Sequence, residues 1–166
     1  VGVSVEWRTA DLAGGLEALF DPAPDLVTAS AFLDLCGADW LDRLAGLVAA
    51  SGAALYTVLS YDGREEWVPA HPLDAAVLAA FHADQRRDKG LGASLGPEAH
   101  RHLAAALAGQ GLEVAEAASD WMLEQPRDGA LIAALAEGSS AAVAKVLGTG
   151  PAAEWHAARI AARRVI

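Results

Sequence analysis

Asp25-Leu26-Val27-Thr28-Ala29-Ser30, then Trp40-Leu41-Asp42-Arg43-Leu44-Ala45-Gly46-Leu47-Val48, then Ala53-Ala54-Leu55-Tyr56-Thr57-Val58-Leu59-Ser60 are three apolar runs of different rhythm. The first is short and breaks into the loop Ala31-Phe32-Leu33-Asp34-Leu35-Cys36-Gly37. In the second, Trp40, Leu41, Leu44, Leu47 and Val48 recur at helical spacing, with Asp39 placed to cap the start and Ser51-Gly52 closing the run. The third is nearly continuous apolar sequence with β-formers at its centre, which predicts a strand covered on both faces and ended by Asp62-Gly63. Residues 25–63 therefore read as strand, crossover helix and strand, a βαβ unit with parallel strands.

This stretch resembles the class I S-adenosylmethionine-dependent methyltransferases. In that family the fourth strand of a Rossmann-like sheet begins with an aspartate followed by aliphatics, as Asp25-Leu26-Val27 does here, and the fifth follows a small-residue turn like Ser51-Gly52. The order of segments on either side extends the resemblance over most of the chain. It implies an α/β fold, with a mostly parallel sheet flanked by helices in the strand order 3-2-1-4-5-7-6.

Composition narrows the classes of partner. The chain has 166 residues, one domain's worth, and 54% of them are hydrophobic. Alanine supplies about a quarter of the residues and buries little area apiece, so larger side chains must carry the packing. Twelve basic against twenty-two acidic residues give a formal charge of −10, which opposes a phosphate backbone and anionic lipid. Nucleic acid and membrane are disfavoured as partners, and no run of strongly apolar residues is read as a membrane span. A single cysteine, Cys36, forms no internal disulfide, so a cytoplasmic location is expected.

On the N-terminal side of residues 25–63, Val1, Val3, Val5 and Trp7 alternate with Gly2, Ser4, Glu6 and Arg8, a period of two that predicts an edge strand. Residues 12–20 read as a short helical stretch. The resemblance implies that Asp11, just past the strand, accepts a hydrogen bond from the cofactor's adenine amino group, with Leu12 beside it; the alternative is that Asp11 caps the next helix. The family's first two strands, with the glycine-rich cofactor loop and the ribose-binding acid, would precede Val1. Gly90-Leu91-Gly92-Ala93-Ser94-Leu95-Gly96 is no substitute, because it follows the charged run Arg86-Arg87-Asp88-Lys89 and not a strand. The expectation is an incomplete methyltransferase domain, inactive alone, whose bared strand edges drive self-association.

On the C-terminal side, Pro72 opens a helix carrying Leu73, Val77, Leu78 and Phe81, ending near Gln85. Residues 64–95 are more than a minimal Rossmann-like domain needs. An insertion here commonly covers the acceptor in the family, which makes Trp67, His71, His82, Arg86, Arg87 and Lys89 the candidates for substrate contact; the alternative is a solvated loop and helix end. Pro97 starts a helix with Leu103 and Leu107 on one face, ending at Gly109-Gln110-Gly111. Residues 112–117 read as a half-exposed strand. Three helical runs follow, 129–136, 141–147 and 151–164, separated by Gly138-Ser139-Ser140 and Gly148-Thr149-Gly150. No seventh strand is read before Ile166, unless Val165-Ile166 is its first step.

Ligands sit at the carboxyl ends of parallel strands, so Thr28, Ala29, Ser30, Ala31, Phe32 and Leu33 would wall the donor pocket. Of these, Ala29, Ser30 and Phe32 join Asp11 and Leu12 as cofactor candidates, with Phe32 and Leu33 also suited to the core. His100 and His102 lie two apart on a helix, pointing about 200° apart, so no metal site is expected. Trp7, Trp40, Trp121 and Trp155 read as core or rim. The functional expectation is S-adenosylmethionine-dependent methyl transfer to a small-molecule acceptor, by proximity and orientation. A non-catalytic interaction domain on the same scaffold is the alternative; a nicotinamide dehydrogenase half-domain lacks its fingerprint. No residue selects the acceptor atom.

Overall fold

The computed structural model describes residues 2–166. Strand β1 (Leu26–Ser30), helix α1 (Ala38–Ser51) and strand β2 (Ala54–Val58) form the expected unit: β1 and β2 pair in parallel, with Leu26 opposite Ala54 and Ser30 opposite Val58. α1 buries Trp40, Leu41, Leu44, Ala45 and Val48. It stops where Gly52 turns left-handed at φ +71°, a conformation that glycine adopts without a Cβ penalty. Its N-cap is Gly37 with no side-chain bond; Asp39 lies inside the first turn, where a carboxylate favours the positive end of the helix.

Helix α2 (Asp74–Gln85) and helix α3 (Ala99–Gly109) follow, each near its expected bounds. α3 packs Leu103 and Leu107 against α1, and with Leu16, Leu33 and Cys36 these make the first core. The second core lies under helix α4 (Gly129–Leu147) and helix α5 (Thr149–Arg159), which gather Val77, Ala80, Ile132, Ala136, Val143 and Trp155. A small antiparallel sheet caps it, built from three two-residue strands, β3 (Trp67–Val68), β4 (Leu123–Glu124) and β5 (Arg164–Val165), with β5 in the middle. Trp67, Leu123 and Val165 stack in register on its buried face.

The chain is thus mixed α/β, with one parallel pair and one small antiparallel sheet, and several expectations fall. Residues 2–10 form no strand, and Val3, Val5 and Trp7 are exposed, Trp7 at 92%; Val1 lies outside the described residues. Residues 112–117 form no strand either, and all but Leu112 are exposed. Alternation without a neighbouring strand leaves the backbone to water, which satisfies it equally well. β2 is open on one face, where Tyr56, opposite Thr28, is 63% exposed and Leu26, one pair along on β1, is exposed too. Residues 129–147 are one helix and not two, because Ser139 is buried and its packing overrides the breaker signal of Gly138-Ser139-Ser140. Against the expectation of no such run, α4 is by length and composition long and apolar enough to cross a membrane; here it packs on α2 and α5. Trp121, like Trp7, is exposed, whereas Trp40 and Trp155 are core. The one strand at the end of the chain, β5, does not join the parallel pair but belongs to the separate antiparallel sheet, where Glu66 just before β3 and Ile166 just after β5 exchange backbone bonds of 2.8 and 3.0 Å.

Candidate functional site

The carboxyl ends of β1 and β2 lie side by side, and both leave the sheet through a non-glycine residue at positive φ: Ala31 at +51° and Leu59 at +56°. Each costs about 1–2 kcal/mol in that conformation. The Ala31 N–H donates to the Val58 carbonyl at 3.2 Å, which holds the two departures together. Strain of this kind concentrates where loops must be aimed. One loop carries Asp34; the other carries Tyr61, Asp62 and Glu65.

Opposite them stands the last turn of α2, and the polar side chains converge. The Tyr61 hydroxyl donates to Glu65 Oε1 at 2.9 Å and lies 3.1 Å from His82 Nε2. The second Glu65 oxygen accepts from the Trp67 indole N–H at 3.2 Å. Gln85, 5% exposed, donates through Nε2 to Asp34 Oδ2 at 3.3 Å, and its Oε1 is buried without a partner. His100 Nδ1 is likewise buried and unpartnered. Burial pushes the Tyr61 phenol above its ordinary range, and the charges of Glu65, Asp62 and Asp34 push the same way. Burial lowers the His82 pKa, helped by Arg86 and opposed by Glu65 and the Gly63 carbonyl. Asp62 is held low despite its burial, by the backbone and guanidinium of Arg64 and then by His100.

The glycine-containing segment closes one side. The Gly37 N–H donates to Leu91 O at 3.0 Å, the Leu95 N–H donates to Cys36 O at 2.9 Å, and the Ser94 hydroxyl lies 2.9 Å from the Leu35 and Arg87 carbonyls. A Cβ on Gly37 would stand 2.9 Å from Leu91 O and 3.1 Å from Ala93 O, so the close approach requires glycine. Cys36 is fully buried beneath this contact; burial, then the charge of Asp34, pushes its thiol up to about 12, which removes it as a nucleophile near neutral pH.

Of the substrate candidates, His82 is in the cluster, Arg86 is beside it, and Trp67 reaches it through Glu65. His71 is elsewhere, closing the turn into α2: its N–H donates to Asp74 Oδ2 at 2.7 Å and its Nδ1 accepts from Leu73. Arg86, Arg87 and Lys89 are exposed, and Arg87 pairs with Asp84 at 2.7 Å. Of the cofactor candidates, Ala29 and Ser30 stand on the last two positions of β1, with Ser30 exposed. Phe32 packs edge-on against Trp40 at 5.4 Å, a core contact. The Asp11 Oδ1 accepts from the Ala13 N–H at 3.0 Å, a local turn, and the Leu12 carbonyl accepts from Trp40 Nε1 at 2.8 Å.

Tyr61, Glu65, Asp34 and Gln85 were not picked out from sequence as site residues. One signal was available for the first: Tyr61 is among the first polar residues past the carboxyl end of a parallel strand. The arrangement can hold a proton in either of two places. With the phenol proton on the Glu65 side, His82 meets the phenol oxygen as an Nε2–H donor; with it turned toward His82, Nε2 accepts. A neutral imidazole, a protonated phenol and a carboxylate in line form a relay suited to taking a proton from a bound group. The chain matches no protein-family model, no curated protein and no solved structure.

Proposed function

We propose that the chain is the acceptor-side part of a Rossmann-like, S-adenosylmethionine-dependent methyltransferase acting on a small molecule. The observation that carries this reading is the parallel β1–α1–β2 unit whose carboxyl ends open onto the Asp34, Tyr61, Glu65 and His82 cluster. Ligands of open α/β sheets bind at that end. Residues 64–95, including β3 and α2, would be the acceptor cover.

The fit to the cofactor is partial. Ala29 and Ser30 end β1 at the open edge and suit a pocket wall; Phe32 is turned into the core, and the Asp11 carboxylate is engaged by its own turn. When bound, S-adenosylmethionine supplies an electrophilic methyl group. The chain's own share is to orient the acceptor at the strand ends, exclude water with the 90–96 segment, and receive the acceptor's proton at the His82 imidazole, whose Nε2–H then donates to the Tyr61 oxygen. Tyr61 and Glu65 then stabilise the imidazolium across the relay.

The test is calorimetric titration of S-adenosylhomocysteine into the product of the complete reading frame, beside the 166-residue chain. Binding by the first and not the second is the expected result. No binding by either overturns the enzyme reading in favour of an interaction domain on the same scaffold, for which the open face carrying Leu26 and Tyr56 speaks.

A further inference from the structure

Residues 2–8 and the outer edge of β1 are two halves of an unmade ladder. Among the described residues, Val3, Val5 and Trp7 are 88%, 69% and 92% exposed, and no backbone group of residues 2–10 is bonded to the rest of the chain. The segment alternates apolar and polar side chains, and its one ion pair, Glu6 with Arg8, lies at the surface. β1 pairs only with β2, so its other edge presents N–H and C=O groups without strand partners. A two-stranded sheet is marginal by itself and gains from a third strand. Leu26, Thr28 and Ser30 are exposed along β1 on the open face that also carries Tyr56. On the other face Val27 and Ala29 are half-buried, and Leu55 of β2 packs on the core under α1.

We propose that residues 2–8 of one copy add as an antiparallel strand to the outer edge of β1 in a second copy, each copy giving one strand and receiving one. The register with Trp7 opposite Leu26, Val5 opposite Thr28 and Val3 opposite Ser30 places all three apolar side chains on the open face. The same register sets Arg8 beside Asp25, an exposed carboxylate that no ion pair includes among the described residues. β2 offers no such match, because Gly52 and Ala53 precede it. The chain cannot make this pairing with itself. The Leu12 carbonyl is tied to Trp40 in the first turn of α1, past the carboxyl end of β1. Asp25 lies the length of the five-residue β1 away, about 17 Å, whereas the four steps from Leu12 back to Arg8 span at most about 14 Å. A second copy is under no such limit, and reciprocal exchange closes the assembly at two. Two exchanged strands, with the edges and side chains they cover, remove on the order of 1,200 Å² from water, the lower limit for a specific interface.

The test needs neither cofactor nor activity, and the pairing stands apart from the methyl-transfer reading. Sedimentation of the 166-residue chain is expected to show a dimer with Kd on the order of 10 µM. Ser4→Pro/Val5→Pro removes two successive N–H donors, one of which must face β1, and should weaken the dimer at least about tenfold. Because residues 2–8 touch neither core, that variant folds as the parent does. Arg8→Glu should weaken the dimer about three- to tenfold, and adding Asp25→Arg should restore it. Under mild oxidation Trp7→Cys/Leu26→Cys is expected to give a reducible dimer on a denaturing gel, whereas Trp7→Cys/Val27→Cys, with its thiols on opposite faces, does not. A parent that stays monomeric up to about 300 µM, a dimer indifferent to the double proline change, a charge reversal that Asp25→Arg does not restore, or a disulfide closed within one chain overturns the proposal.

Discussion

Replacing Tyr61 with phenylalanine deletes one oxygen and leaves the ring where it is, edge-on to Phe81 at 5.9 Å and His82 at 5.8 Å. What is lost is the 2.9 Å bond to Glu65 and the 3.1 Å contact with His82 Nε2. A hydrogen bond to a charged group contributes about 1.5–3 kcal/mol net when desolvated. Tyr61 and Glu65 are both half-buried, so water replaces part of it, and about 1–2 kcal/mol is expected. In a chain of this size that lowers Tm by roughly 3–6 °C. Urea unfolding followed by circular dichroism should show the midpoint fall with the slope unchanged. Glu65→Gln alone costs a comparable amount, and the double variant should fall short of the sum by about 1 kcal/mol, because both changes remove the same bond. A Tyr61→Phe chain as stable as the parent, or a cycle that is strictly additive, refutes the relay.

Burial holds His82 neutral, so its pKa in the folded chain lies below the ordinary 6.5. Between those two values the unfolded chain binds more protons, so stability falls as pH drops through about 6.5 and levels off below the folded value. His82→Gln should flatten the change in urea midpoint between about pH 7 and pH 5, and an unchanged slope contradicts the assignment. Gly37→Ala presses a methyl onto the Leu91 and Ala93 carbonyls and is expected to destabilise by about 1–3 kcal/mol; a neutral effect in thermal unfolding would mean that the 90–96 segment is not clamped. Arg159→Met removes a guanidinium that is 1% exposed, bonded to Pro69 O at 2.7 Å and 3.5 Å from Asp74. Because Asp74 keeps its bonds from His71 and Trp155, the loss should be about 2–3 kcal/mol, at or below the lower end for a broken buried pair, and partly recovered by adding Asp74→Asn. If the open sheet face pairs copies of the chain, Tyr56→Lys, which charges it, sediments more nearly as monomer than the parent in analytical ultracentrifugation; a monomeric parent or an unchanged distribution counts against pairing through this face.

The β1–α1–β2 unit was legible because three independent signals agree over residues 25–63: a short apolar run, a helical period, and a small-residue turn at Ser51-Gly52. α2 and α3 were legible from proline starts and apolar faces for the same reason. The three strands capping the second core were not, since two residues carry no period; they exist because Trp67, Leu123 and Val165 meet over α4 and α5. The alternating segments at 2–8 and 112–117 failed in the opposite way. Their pattern says which side chains would face together in a strand, but the described structure supplies no neighbour for either. In the site, charge runs drew attention to Arg86, Arg87 and Lys89, which are solvated, while the converging groups are dispersed singly at positions 34, 61, 65 and 85.

Glu65 gives these observations a common point. Through Oε1 it meets Tyr61 in the loop leaving the parallel sheet, and through Oε2 it meets Trp67 in the strand that caps the second core. A change at this one carboxylate is therefore felt in two directions: Glu65→Gln removes the charged acceptor of both the phenol and the indole, so the Tyr61–His82 contact and the Trp67 edge of the second core respond together. The same change takes away the one neighbouring charge that favours an imidazolium at His82, so His82 becomes a weaker base than in the parent.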